Sequence, residues 1–402
     1  MPSSACAAGD AVCERVRAME PSLPIHPTFM ADSLNPCVET SSGPRCLPYV
    51  HVISGWHMFS EEALGWLKQV KTLEARGGSG CFADWQSDAG GGQWAQSWGK
   101  PPIGGGVILA HCNKLLSWYP AFAGRYTSAW GKAYGPCKES EIAAHPNADY
   151  YATSMWAKCR PAALQAHDLA IGVGGSGHEA TPPYVMRALY GSRVRIISAL
   201  RNPVDRLETA FWAHRHYPLK YGASANGLHA YIREQTEAFL TCERTHGVRR
   251  CAYMYELLDR KYADVFFHAD QIIRGMYEPF VRDWHAAFGA EALLVLRVEE
   301  LLDAPAVTRT RVLNFLKLPS HVAGASDAAA AGAVEAPVAL SYRALHAKSL
   351  REANAKANLL NSTRALAEAF YRPHNERLGA LLGWPQGAAW PISTAVNVVG
   401  LR

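Results

Sequence analysis

The sequence predicts an α/β fold: a three-layer sandwich with a central parallel sheet. Three observations predict it. Strand-length apolar runs alternate along the chain with stretches of helical periodicity, the order that gives a largely parallel sheet with helices on both faces. At 402 residues, 49% hydrophobic and 19% charged, the chain has enough apolar surface for a substantial core and is not disordered overall. And at Arg201 a buried strand passes directly into a helix.

Taken in order, residues 1–46 are rich in Pro, Ser and Cys and read as a loop-like N-terminal arm, with one domain over 47–402. Tyr49–Ser54 reads as the first strand, ended by Gly55. Ser60–Val70 reads as a helix, capped by Ser60 and acidic in its first turn. Residues 76–106 carry Gly clusters and tryptophans and read as an irregular insertion. The stretches 115–126 and 140–151 are mixed, and Leu169–Val173 is a short apolar run. Val194–Leu200 is the central strand and Leu207–Tyr217 its helix. Leu228–Leu240 and Gly275–Phe288 are helical by periodicity, and Leu293–Val298 is a late strand. Residues 322–338 read as a second insertion, and Asn361–Leu382 as a closing helix.

The junction after Leu200 is the most informative segment. Asn202 is a good N-cap, and Pro203 suits the first helical position, where no N–H is needed. Arg206 and Thr209 lie within two turns of that start. A strand end, a helix N-terminus, a guanidinium and a hydroxyl together make a phosphate site. The plainer alternative is a strand–turn–helix whose Arg201 pairs with a carboxylate.

The net charge of +5 suits an anionic nucleotide or an acidic glycan and is too weak to argue for nucleic acid. Ten cysteines form no CxxC pair and no zinc-type pattern with histidines, so no metal site is expected. Their even number and scattered positions suit an oxidising compartment; free thiols in a reducing one are the alternative. Asn361-Ser-Thr363 is a lone N-glycosylation sequon. No basic segment followed by an apolar run opens the sequence, and no apolar stretch reaches the ~18 residues that span a bilayer.

Arg201-Asn-Pro-Val-Asp-Arg206, Thr209 and Trp212 resemble the 3'-phosphate motif of sulfotransferases. Glu179-Ala-Thr-Pro-Pro-Tyr184, Ile273-Arg-Gly-Met-Tyr277, Leu294–Leu302, Val312–Pro319 and Phe370–Asn375 extend the resemblance to the carbohydrate sulfotransferases of the Golgi. It implies a P-loop-like sulfotransferase fold and transfer of a sulfuryl group from 3'-phosphoadenosine 5'-phosphosulfate to a glycan or proteoglycan hydroxyl. It also implies that Arg201 and Thr209 hold the 3'-phosphate. Residence in the Golgi lumen or secretory pathway would follow, with the membrane reached only through an anchor not seen in this chain. Relatives carry a disulfide near Cys242 and Cys251, which flank a short polar loop. Cys37 and Cys46 bracket a loop in the same way, and both pairs are expected to be bridged.

The family's second phosphate grip, Lys-x-Gly-Thr-Thr, falls on Gly55–Glu62. There His57 stands for the lysine, Phe59 for the glycine and Glu61 for the second threonine; Ser60 alone keeps its type. His57 and Ser60 are therefore the candidate 5'-phosphosulfate residues. His57 would stabilise leaving-group charge if protonated. Phe59 crowds a backbone that must wrap a phosphate, and Glu61 and Glu62 would repel one, so this segment equally reads as a plain helix start. Glu179 is the candidate catalytic base, or else a structural acceptor. The Gly-rich run 172–179 has a P-loop outline, but His178-Glu179 stands where Lys-Ser/Thr is needed. Lys348, Arg351 and Lys356 read as a basic nucleotide-closing loop or as solvated surface charge. The competing functions are a non-catalytic sulfotransferase-fold binder of nucleotide or glycan and, third, a P-loop phosphotransferase.

Overall fold

The structure, a computed structural model, describes residues 29–39, 43–53, 57–70, 73–76, 107–112, 183, 187, 191–249, 251–252, 270–317, 341–385 and 390. Its centre is a five-stranded, wholly parallel sheet flanked by helices. The α/β architecture with a central parallel sheet expected from the alternation of strands and helices is the one observed.

A short antiparallel pair, β1 (Cys37–Val38) and β2 (Arg45–Cys46), precedes the sheet. The sheet strands are β3 (Val50–Ile53), β4 (Leu73–Arg76), β5 (Val107–Cys112), β6 (Arg195–Leu200) and β7 (Leu293–Arg297), in the spatial order β4-β5-β3-β6-β7. The chain leaves β3 for one side of the sheet and returns to build β6 and β7 on the other. The reversal point therefore lies between β3 and β6, where Val50 pairs Arg195 and Ile53 pairs Ser198. In open α/β sheets a crevice forms at the carboxyl ends of the strands at such a point, and ligands bind there.

The helices are α1 (Ser60–Leu64, continuing as a 3-10 turn to Gln69), α2 (Pro203–Ala213), α3 (His216–Tyr221), α4 (Ala225–His246), α5 (Asp270–Ile273), α6 (Tyr277–Phe288), α7 (Val298–Asp303), α8 (Pro305–Leu316), α9 (Tyr342–Glu352) and α10 (Asn361–Leu382). Among the described residues two large apolar cores result, beside a small cluster of Cys37, Cys46 and Ile108. Val50, Val52, Ile197, Ala199, Leu294 and Leu296 of the sheet meet Leu64, Leu301, Val312 and Tyr342. Phe211, Trp212, Tyr217, Tyr231, Phe239 and Phe370 build the other between α2, α3, α4 and α10. Burying side chains of that size stabilises by ~1.5–3 kcal/mol each.

Several boundaries shift for local reasons. The helix expected over Ser60–Val70 is α-helical only to Leu64, where Gly65 follows and the chain tightens. The helix that follows Asn202 begins at Pro203, as its cap predicts, but ends at Ala213 rather than reaching Tyr217, and the stretch Gly275–Phe288 starts two residues late, at Tyr277. Gly275 itself sits in the turn before α6, where a Cβ would lie 2.7 Å from the Tyr371 hydroxyl, so only glycine fits. Within the N-terminal arm, β1 and β2 are stitched by a Cys37–Cys46 disulfide, and Asn35 Oδ1 accepts from Ile108 N of β5 at 2.8 Å. Cys242 and Cys251 are also bridged, closing the end of α4. Both expected disulfides are present. The expected insertions at 76–106 and 322–338, apart from Arg76, lie outside the described residues, as do Leu169–Val173 and the Gly-rich run 172–179.

Candidate phosphate site

Arg201 follows the last residue of β6, at the reversal point of the sheet. Asn202 then caps α2, its Oδ1 accepting from Val204 N at 2.9 Å and Asp205 N at 3.3 Å. Glu299, at the start of α7, takes the Asn202 N–H at 2.7 Å and so fixes the strand-to-helix turn. The Tyr277 hydroxyl donates to the Arg201 carbonyl at 2.7 Å. The backbone of the site is thus held from α6 and α7 as well as from the sheet.

The Arg201 side chain is buried, and each of its three nitrogens donates a hydrogen bond. Nη2 donates to Thr209 Oγ1 at 3.0 Å and to His346 Nδ1 at 2.6 Å, Nη1 to the His57 carbonyl at 2.9 Å, and Nε to the Tyr342 hydroxyl at 3.3 Å. The Phe59 ring lies against it, with the guanidinium carbon 3.8 Å from the ring centroid. Among the described residues Arg201 makes no ion pair with a carboxylate; its partners are uncharged. Arg201 and Thr209 are brought together as the motif requires. Arg201 is, however, covered rather than open at the mouth of the sheet.

Arg206 points elsewhere: it is buried, donating from Nη1 to Gln271 Oε1 at 3.1 Å and from Nη2 to the Gln271 carbonyl. It ties α2 to α5. Asp205 faces outward from α2 to two donors, the Tyr342 hydroxyl at 2.9 Å and Arg364 Nη2 at 3.0 Å. Burial works against its charge, yet His346, Arg364, Arg201 and the Tyr342 hydrogen bond together hold its carboxyl below the ordinary value.

The β3–α1 turn keeps an unusual backbone. His57 has φ +61° and Phe59 φ +57°, both left-handed, a region glycine favours and side chains resist. The turn therefore retains a shape suited to glycine at the position where the resemblance places one, with a phenylalanine in it. His57 Nε2 lies 3.4 Å from His214 Nε2, at the end of α2. Burial, then the charges of Arg206, His214, Arg201 and Arg274, push the His57 imidazole down to about 3. It is therefore neutral near pH 7, whereas stabilising a leaving group by charge would need the imidazolium. Ser60 begins α1, directly after the turn. Glu179 lies outside the described residues.

The polar groups that sequence reasoning missed sit on α9. Tyr342, His346 and Ser349 are spaced i, i+4, i+7 and share one face, which meets Arg201 and Thr209. Ser349 Oγ is 3.3 Å from Thr209 Oγ1, and His346 Nε2 is 3.4 Å from Glu208 Oε2. Lys348 points away, exposed and paired with Glu352 at 3.6 Å; Arg351 and Lys356 are also exposed. Lys348 and Arg351 are thus surface charges on a helix that turns its uncharged face to the site, and Lys356 follows that helix.

Asp205, Glu208 and His346 each place one ligand atom within 4.8 Å of the others, a spacing a metal ion could use. The donors around them oppose it. Both Asp205 oxygens already accept hydrogen bonds, Glu208 Oε1 accepts from Leu359 N at 3.1 Å, and Arg201 lies against His346. A cation would have to displace Arg364 and share the space with Arg201.

No protein-family model matches the chain. It is similar to carbohydrate sulfotransferase 15 of Homo sapiens, 24% identical over 219 residues that cover 52% of this chain and 34% of that protein. The same protein of Rattus norvegicus is 23% identical over 212 residues, again 52% and 34%. The chain thus spans about a third of the length of the curated relatives it matches. A solved sulfotransferase from Alicyclobacillus acidocaldarius has 13% identity and a TM-score of 0.39, covering 85% of this chain and 98% of its own. The fold described above rests on the chain's own sheet, not on that likeness.

Proposed function

We propose that this chain is a sulfotransferase that takes 3'-phosphoadenosine 5'-phosphosulfate as donor and a carbohydrate hydroxyl, on a glycan or proteoglycan, as acceptor. The observation that carries this reading is the Arg201–Thr209 pair, 3.0 Å apart beside an N-capped helix start at the reversal point of a parallel sheet. Similarity to carbohydrate sulfotransferase 15 supports the same reading. Arg201 and Thr209 would hold the 3'-phosphate. His57 and Ser60 would lie along the 5'-phosphosulfate.

The chemistry is an in-line displacement. A base takes the acceptor proton, the acceptor oxygen bonds to sulfur, and the sulfur–oxygen bond to the 5'-phosphate breaks. Glu179 remains the candidate base. His57 can stabilise the departing charge as a cation only after bound anion has raised its pKa; otherwise its neutral ring donates one hydrogen bond. No metal enters this scheme. Two disulfides favour an oxidising compartment, and Golgi or secretory residence is proposed with them. Among the described residues no helix is long and apolar enough to cross a membrane. Asn361 is exposed in the first turn of α10, where a glycan could be carried.

A second reading has its own observation. With no lysine in the β3–α1 turn and His57 neutral, the chain could bind nucleotide or glycan without turnover. The deciding assay offers radiolabelled donor and pooled glycans to the wild type and to His57→Lys and His57→Ala. Transfer by wild type that His57→Lys keeps or raises at neutral pH, and His57→Ala abolishes, supports the enzyme. Nucleotide binding with no transfer to any glycan leaves only the binding protein.

A further inference from the structure

Arg201 cannot offer Nη2 to a phosphate while both of that nitrogen's N–H groups go to Thr209 and His346. A guanidinium only donates, so His346 Nδ1 accepts and bears no proton; the ring proton is on Nε2, toward Glu208. One turn further along α9, Ser349 donates to the His346 carbonyl at 2.8 Å and sits 3.3 Å from Thr209. Two α9 groups therefore occupy the side of Arg201 and Thr209 where an anion's oxygens would go.

We infer that His346 and Ser349 are the third wall of the 3'-phosphate site, and that His346 gains a proton when the phosphate binds. This rests on the reading given under Proposed function and adds two binding residues to it. The charges facing His346 are those of Arg201, of Asp205 and Glu208 on α2, and of Arg364 on α10 through Asp205, with the Tyr342 ring stacked 6.3 Å away. Those two cations and two carboxylates balance. A phosphate dianion entering the cluster unbalances it. The change is offset when Nδ1 stops accepting from Arg201, takes one proton from solvent and donates it to a phosphate oxygen. The same ring then bridges phosphate and Glu208, and Ser349 turns its hydroxyl from a carbonyl to the anion. No covalent bond changes except N–H.

The test is calorimetry with 3'-phosphoadenosine 5'-phosphate near pH ~8, where a phosphomonoester is already a dianion, in two buffers of different ionisation enthalpy. Wild type should take up about one proton per nucleotide bound. His346→Asn should bind about tenfold or more weakly and take up none; Ser349→Ala, at a half-buried position, should bind a few-fold more weakly. Adenosine 5'-phosphate, which lacks the 3'-phosphate, should bind all three proteins alike. The inference is overturned if both variants bind 3'-phosphoadenosine 5'-phosphate as well as wild type or better, or if wild type takes up no proton. Arg201→Lys separates the two readings. If it weakens binding while the α9 variants do not, only the present inference falls; if none of them does, the phosphate site falls with it.

Discussion

Arg201 has five N–H donors and the Phe59 ring against it, so its removal acts twice. Arg201→Ala should abolish selective binding of the 3'-phosphate, losing charge-assisted bonds worth roughly 1.5–3 kcal/mol each. The motif alone suggests a change confined to binding. Full burial and four partners instead predict that Arg201→Ala lowers unfolding stability in urea by about 2–4 kcal/mol. An unchanged urea midpoint would show the network to be inessential. Phe59 behaves in the opposite sense. At φ +57°, Phe59→Gly relieves left-handed strain of about 1 kcal/mol while losing the ring on Arg201, so stability should change little. With Glu61→Thr it should tighten nucleotide binding by opening the backbone; looser binding would count against a phosphate turn there. The left-handed turn was legible only as a mismatch with the family's glycine, because a sequence shows which residue is present but not the φ it is forced to adopt.

At the scale of elements, the Cys242–Cys251 bridge closes a loop of nine residues' separation. Chain entropy predicts that Cys251→Ser costs ~2–3 kcal/mol, and a urea titration of the variant against wild type checks it. Gly275→Ala should cost about 1–3 kcal/mol, since its Cβ would meet the Tyr371 ring and hydroxyl at 2.7–2.9 Å. A variant as stable as wild type would mean that α10 can move away freely. These elements were legible because strong local signals mark them: the Asn202-Pro203 start, the apolar periodicity of α4 and α6, and paired cysteines around polar loops. β4 and β5 were missed. Leu73–Arg76 is a short edge strand carrying Glu74 and Arg76, and Val107–Cys112 follows a glycine cluster that masks its start. α9 was missed for a similar reason: it follows an Ala- and Gly-rich stretch, and the face it turns to Arg201 and Thr209 is Tyr, His and Ser rather than the basic residues that draw attention.

For the whole molecule, the buried histidines set the response to acid. His51, His57 and His374 are each pushed down to about 3, burial being the largest cause in every case. Their folded pKa lies below the unfolded value of ~6.5, so the unfolded chain takes up protons first. Stability is complete above that pH and is lost as pH falls from ~6.5 toward ~3, by up to about 1.4 kcal/mol per pH unit for each ring. Asp205, also lowered, withdraws its contribution in the same direction at the acid end. Urea midpoints that drop steeply between pH ~7 and ~5 are expected, and a flat profile would show that these rings are solvated. The central claim is that β6 and α2 present a 3'-phosphate site, and calorimetry on the wild-type chain tests it most directly, with 3'-phosphoadenosine 5'-phosphate compared against adenosine 5'-phosphate and ATP. The account predicts binding of the 3'-phosphorylated nucleotide about tenfold or more tighter than of either comparator, with or without added chelator. Equal affinity for the three, or tighter binding of ATP that requires magnesium, would contradict it.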